Sequence, residues 1–164
     1  MKLNINTQEC LKSIVLSNHT VDNSNINPLL SGILINVTKD VINLTSADLN
    51  NSSLIRITKN FQTEEEGLIL IKGQTILNLL SNIKDENITI TQVEDSVINI
   101  NTSTGIYNLN LFNVEAYPSI SFDHKDWQKL ELTSKLIKKL TSKISQCVEI
   151  TNDLTRVYNG ISLR

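Results

Sequence analysis

The chain has 164 residues, of which 40% are hydrophobic and 20% are charged, which suits one globular domain or one domain and a fraction. It has no basic-then-apolar leader and no apolar run of about 18 residues, so we expect a cytoplasmic protein without a membrane partner. In the cytoplasm, Cys10 and Cys147 should be reduced thiols, and no metal-ligand spacing or cofactor motif surrounds them.

The N-terminal stretch predicts a strand at residues 3–6 and an amphipathic helix near Thr7–Leu16. Thr7 is the expected N-cap, because threonine is a preferred residue at that position. Lys12 lies opposite the apolar face, which is formed by Cys10, Leu11, Ile14 and Val15. A polar, turn-rich segment ending at Pro28 should separate this helix from the strands that follow.

Alternating hydrophobic residues then predict three strands, over Leu30–Thr38, Val41–Ser46 and Leu54–Lys59. The acidic run at 64–66 is interpreted as a solvated loop. The order then restarts with a strand at Leu68–Ile71, a helix at Gln74–Ile83, and strands at Ile88–Val93, Val97–Asn101 and Ile106–Phe112. Residues 1–112 thus form two strand–helix–three-strand units. Two helices and eight strands predict an α+β domain whose helices cover one face of the sheet.

The same order begins once more near the end of the chain. An alternating strand at Leu130–Thr133 precedes an amphipathic helix at about Ser134–Gln146, and a second strand is entered through Tyr158–Ile161. A repeat of this length indicates a second copy of a whole domain. We therefore predict one domain over residues 1–120, followed by a linker and the first strand–helix–strand of a second domain over residues 121–164.

Charge is unevenly distributed along the chain. Residues 1–120 carry 7 Lys or Arg against 12 Asp or Glu, whereas residues 121–164 carry 8 against 5. Any contact with a polyanion must therefore be local. On the predicted helix at 134–146, the apolar side is opposed by a basic side of Lys135, Lys138 and Lys139, with Lys143 at the flank. This basic side is either a solubilising surface or a phosphate contact.

No catalytic constellation is found in the sequence. Asp48 has no second carboxylate, histidine or nucleophile beside it, so a role in a turn or in capping the backbone is predicted for it. His19 and His124 are interpreted as surface residues. An enzyme is consequently the least favoured class of function.

Several short phrases, in this order and spacing, resemble those of the bacterial sliding clamp, the β subunit of the replicative DNA polymerase III. They are Met1–Leu3, Pro28–Ile35, Leu44–Leu49, Glu115–Pro118 and Asn159-Gly160. The resemblance implies the DNA-clamp fold. Clamps of this family have three such domains, and this chain resembles the first domain plus the opening of the second.

The family resemblance also implies a function without chemistry. Two clamp subunits assemble head to tail into a six-domain ring around duplex DNA. The helices line the hole of this ring, and the DNA is held without its sequence being read. The partners implied are duplex DNA, the other subunit of the homodimer, DNA polymerase III and the clamp loader. The protein would be a processivity factor for DNA replication, with no catalytic residue or cofactor of its own. The alternative is an unrelated α+β binding module that shares the duplicated pattern.

Site residues follow from the same resemblance. The implied DNA contacts are Lys12, Lys135, Lys138, Lys139, Lys143, Arg156 and Tyr158. Leu79 and Tyr107 match positions near the ring-closing subunit interface, although both could be ordinary packing residues, and Tyr158 could be a core or domain-boundary aromatic. One departure is the loop before Pro28, which carries no charge where many clamps have an arginine.

Overall fold

The computed structural model describes residues 1–22, 27–122 and 131–148. The chain divides into two units, Met1–Phe122 and Asp123–Arg164. The first unit contains helices α1 (Thr7–Asn18) and α2 (Gly73–Asn82). Its described strands are β1 (Lys2–Asn6), β2 (Gly32–Val37), β3 (Ile42–Ala47), β4 (Ser52–Ile57), β5 (Phe61–Glu65), β6 (Gly67–Lys72), β7 (Asn87–Glu94), β8 (Val97–Thr102) and β9 (Gly105–Phe112).

The nine strands are arranged in the order β4-β3-β2-β6-β9-β8-β7-β1-β5, with each described pair antiparallel. Strand β9 joins the two halves of this arrangement. It pairs with β8 along residues 105–110, but it reaches β6 only through Leu111 and Phe112. Residues 105–110 therefore have a described strand partner on one edge only.

The main core lies between the sheet and the two helices. Side chains from both helices, including Ile14 of α1 and Ile76 and Leu80 of α2, are essentially fully buried against isoleucines of the strands. The helices also contact each other. Branched aliphatic side chains fit a pleated sheet surface well, so an Ile-rich sequence of this kind favours a helix-covered sheet. The predicted α+β class, with helices on one face, is confirmed.

A second, smaller core lies on the opposite face of β6. Alternation along the strand sends Ile71 to the main core and Leu70 to this second cluster. Leu70 is fully buried there with Leu30, Ala47 and Tyr117. Residues 113–120 thus cover part of the sheet that the helices leave open.

Two details of α1 differ from the prediction. The N-cap is Asn6 rather than Thr7, since the Oδ1 of Asn6 accepts hydrogen bonds of 3.1 Å from the backbone N–H groups of Gln8 and Glu9. Val15 is 38% exposed and does not belong to the core face. Buried Ser17 lies nearer that face, and its carbonyl accepts a hydrogen bond of 2.7 Å from the Ser46 hydroxyl.

The prediction of eight strands and of a loop at the acidic run was also wrong. Glu64 and Glu65 belong to β5, a strand additional to the eight that were predicted, which pairs with β1. Phe61 and Thr63 are half-buried while Gln62 and Glu64 are exposed, which is the alternation of a strand with one face covered. The carboxylates are tolerated because β5 is the edge strand, and charge on an edge discourages unwanted strand pairing.

The described part of the second unit contains helix α3 (Ser134–Ile144), followed by a single 3₁₀ turn at Ser145–Cys147. The Oγ1 of Thr133 accepts a hydrogen bond from the N–H of Leu136 and caps the helix. The helix prediction is confirmed, but residues 131–133 form no strand, and Thr133 serves as a cap instead. Leu130 and the strand predicted from Tyr158 lie outside the described residues. None of the described helices is long and apolar enough to cross a membrane.

Candidate nucleic-acid interface

Helix α3 presents its lysines on one side. Lys135, Lys138 and Lys139 are spaced at i, i+3 and i+4, and Lys143 follows one further turn along. All four side chains are exposed. Among the described residues, none of the four is ion-paired with a carboxylate; the ion pairs found there join Lys2 to Glu64 and the N-terminal amine to Glu65. The helix thus offers an unneutralised row of ammonium groups.

The other side of α3 is apolar and only partly covered. Ile137 is 43% exposed and Ile144 is 37% exposed, while Leu140 is half-buried; Leu136, at the flank beside Lys143, is 42% exposed. The separation of lysine and aliphatic sides is the one predicted from the sequence. The lysine side therefore points away from the surface that an adjoining sheet would bury.

The other predicted DNA contacts are more scattered. Lys12 is exposed on α1, among neighbours that are mostly neutral. Arg156 and Tyr158 lie outside the described residues, so their role stays a prediction. Lys12 belongs to the first unit and the lysines of α3 belong to the second.

The predicted subunit-interface residue Tyr107 lies within residues 105–110 of β9, which have a described strand partner on one edge only. Tyr107 is 38% exposed and pairs with Ile100 of β8. It shares a face of the strand with Leu109 and Leu111, which pack against the main core. Its neighbour Ile106 is 66% exposed on the other face.

Leu79, the second predicted interface residue, is half-buried on α2 and packs against the same main core. Its packing role is thus visible in the structure, while its interface role stays a prediction. Both residues lie on the helix side of the sheet. Sequence reasoning did not identify the free edge at residues 105–110 or Ile106, because alternation predicts a strand but not which of its edges is paired.

Asp48 lies in the tight turn between β3 and β4, as predicted. Its Oδ1 accepts hydrogen bonds from the backbone N–H groups of Asn50 and Asn51, at 2.7 and 2.5 Å. These bonds favour the charged form and hold the pKa of Asp48 below its usual value. Elsewhere, burial raises the pKa of Cys10 to about 12, so this thiol is an unreactive core residue. Within the described ranges, no three His, Cys, Asp or Glu side chains are grouped to hold a metal.

Comparison with known proteins shows which family this chain belongs to. Residues 1–121 match the family described as DNA polymerase III beta subunit, N-terminal domain. The chain belongs to this sliding-clamp family. The beta sliding clamp of Mycoplasma pneumoniae is 30% identical over 167 aligned positions, which cover 99% of this chain and 44% of that clamp. The alternative of an unrelated α+β module is thereby set aside.

Solved clamp structures share the fold. The DNA polymerase III beta chain of Streptococcus pneumoniae superposes with a TM-score of 0.86 at 21% identity, covering 94% of this chain and 42% of its own. The Helicobacter pylori clamp bound to a DNA ligase peptide gives a TM-score of 0.80 at 21% identity, covering 93% and 42%. The predicted DNA-clamp fold is confirmed, and this chain spans less than half the length of these clamps.

Proposed function

We propose that this chain acts as a segment of a replication clamp, a non-catalytic processivity factor that tethers DNA polymerase III to duplex DNA. The observation that carries the proposal is the unneutralised lysine row of α3 on a chain that belongs to the sliding-clamp family. A tether that must slide needs attraction to phosphates but no base contacts. Flexible ammonium groups meet both needs, because they follow the phosphate backbone without fixing a register.

Charge distribution supports placing the contact in the second unit. Residues 1–120 contain 7 Lys or Arg and 12 Asp or Glu, an excess of five acidic side chains. The net charge of this part of the chain would therefore repel DNA. Residues 121–164 carry three more basic than acidic ones, 8 against 5. Lys12 would then add a minor contact, and Arg156 and Tyr158 would extend the basic surface of α3.

The protein partners follow from the family. The free edge of β9, with Tyr107 and Leu79 on the helix side, would meet a second clamp subunit. DNA polymerase III and the clamp loader would be further partners, and the assembly would act in the cytoplasm. An open strand edge supports the subunit contact because it can accept a strand from another chain. The H. pylori clamp was solved with a DNA ligase peptide bound, which supports peptide segments of DNA enzymes as partners.

Retention on circular DNA tests the proposal. The 164 residues span 44% of the M. pneumoniae clamp, so we expect them to hold DNA by charge without encircling it. The chain is incubated with nicked circular plasmid or with the same plasmid linearised, and is then gel-filtered at low and at high salt. We expect co-elution with both DNAs at low salt and with neither at high salt, where counterions screen the lysines.

Two results would overturn the proposal. Absence of co-elution at low salt would show that the lysine row is only a solvated surface. Retention on the circle at high salt that is lost on linearising would show that these residues close a ring themselves and are not merely a segment of one.

A further inference from the structure

Asp85 links two parts of the first unit that are distant in sequence. It lies in the connection between α2 and β7, and its carboxylate accepts two hydrogen bonds from Ser103, in the turn between β8 and β9. One comes from the backbone N–H of Ser103 and the other from its hydroxyl, with 2.7 Å between Oγ and Oδ1. Both bonds favour the ionised carboxylate and lower the pKa of Asp85.

The turn that Asp85 holds is a two-residue hairpin loop without a positive φ. Thr102 pairs with Gly105, which leaves a two-residue loop. Loops of this length normally use residues with positive φ, because their twist then matches that of the strands. Among the described residues, Asn60 alone has a positive φ, so this turn lacks the matching conformation. Within the hairpin, the hydroxyl of Thr102 stabilises the turn by donating a hydrogen bond of 2.9 Å to the Gly105 carbonyl.

Asp85 binds this turn from a different part of the chain, the connection between α2 and β7. The turn that it binds leads directly into β9. Strand β9 begins at Gly105, two residues after Ser103, and residues 105–110 have β8 on one edge and no described strand on the other. A strand segment that is paired on one edge only opens locally more readily than one that is paired on both edges. Fixing the turn therefore fixes the start of the free edge.

We propose that Asp85 is a positioning residue that holds the start of β9 extended, so that its free edge is ready to pair with a strand of a second clamp subunit. Pre-ordering a binding segment strengthens association because the entropy of ordering is lost before binding. This inference rests on the proposed function, in which the β9 edge is a subunit contact.

The neighbouring hairpin supplies a control. The turn between β7 and β8 has the same length, since Glu94 pairs with Val97, and it contains an exposed carboxylate, Asp95. Among the described residues, the Asp95 side chain has no hydrogen-bond partner comparable to Ser103. That hairpin instead accommodates its turn with a register shift between Gln92 and Glu94.

Amide hydrogen exchange tests the positioning role. In Asp85→Ala we expect the amide of Ser103 and the β9 amides bonded to β8 to exchange roughly tenfold faster, which corresponds to losing a hydrogen bond to a charged acceptor. Asp85→Asn should recover part of this protection, because its Oδ1 can accept from the N–H and its amide can donate to the Ser103 hydroxyl. Asp95→Ala should leave β9 unchanged. Equal exchange in Asp85→Ala and wild type would overturn the proposal.

A strand probe separates this inference from the proposed function. A head-to-tail contact would bring a strand other than β9 to this edge, and strand addition gains its affinity from backbone hydrogen bonds. The probe is therefore a synthetic peptide of eight alternating valine and threonine residues, with two lysines added at each end for solubility. We expect Asp85→Ala to bind it roughly tenfold more weakly than wild type, by the same hydrogen-bond reasoning. Equal binding by both proteins would overturn the role of Asp85. Failure of wild type to bind the probe would overturn the β9 edge as a pairing surface, whatever the exchange experiment shows.

Discussion

Changing Lys135, Lys138 and Lys139 together to glutamine is expected to remove most of the affinity for duplex DNA at low salt. These side chains form one row on α3 and none is ion-paired within the described part of the chain. Each phosphate that a lysine neutralises adds about −0.9 to the slope of log K against log salt, so three lysines account for up to about −2.7. Glutamine keeps helix propensity, which isolates the effect of charge. Fluorescence anisotropy of a labelled duplex measures the loss.

A matched control changes three exposed lysines of the other unit, Lys39, Lys59 and Lys72, to glutamine. The change in net charge is identical, so a general electrostatic effect would weaken binding equally in both triple variants. We expect the control to retain nearly wild-type affinity. If the two variants weaken binding alike, the lysine row of α3 is not a DNA contact surface.

Leu70→Ala is expected to give the second large effect, a loss of about 2–5 kcal/mol in the free energy of unfolding. Leu70 is fully buried in the small core beneath residues 113–120, on the face of β6 that the helices do not cover. Truncation leaves a cavity between Leu30, Ala47 and Tyr117, which cannot fully collapse because strands fix two of its walls. Denaturant unfolding followed by circular dichroism measures the change.

Leu68→Ala is the control for that experiment. Leu68 lies on the same strand and the same face as Leu70, but it is 42% exposed. Its truncation should lower the free energy of unfolding by less than about 1 kcal/mol. Similar losses in both variants would show that residues 113–120 do not form a core with β6.

Most of the fold could be predicted because it follows from local patterns. Helices α1, α2 and α3 were each identified from apolar residues at helical spacing, and the observed bounds differ from the predicted ones by a few residues at either end. Eight strands were found from alternation and turn residues. Strand β5 was missed since its acidic residues are acceptable only at a sheet edge, and sheet order is a tertiary property.

Other features depended on partners distant in sequence. Asn6 and Thr7 are both acceptable N-caps, and the choice between them was settled by tertiary packing, which buries Thr7 completely. The contact between Asp85 and Ser103 joins loops 18 residues apart and has no local signature. The lysine row, by contrast, was fully predictable, since residues three and four apart on a helix always share a side.

The salt dependence of DNA binding by the unaltered chain tests the central claim most directly. Affinity is measured for two duplexes of unrelated sequence between about 50 and 200 mM KCl. The account predicts equal affinity for both sequences and a slope of log K against log salt of about −2.7 to −3.6, from three to four neutralised phosphates. Binding that is insensitive to salt, or that favours one sequence by more than about tenfold, would contradict a clamp segment held to DNA by its lysine row.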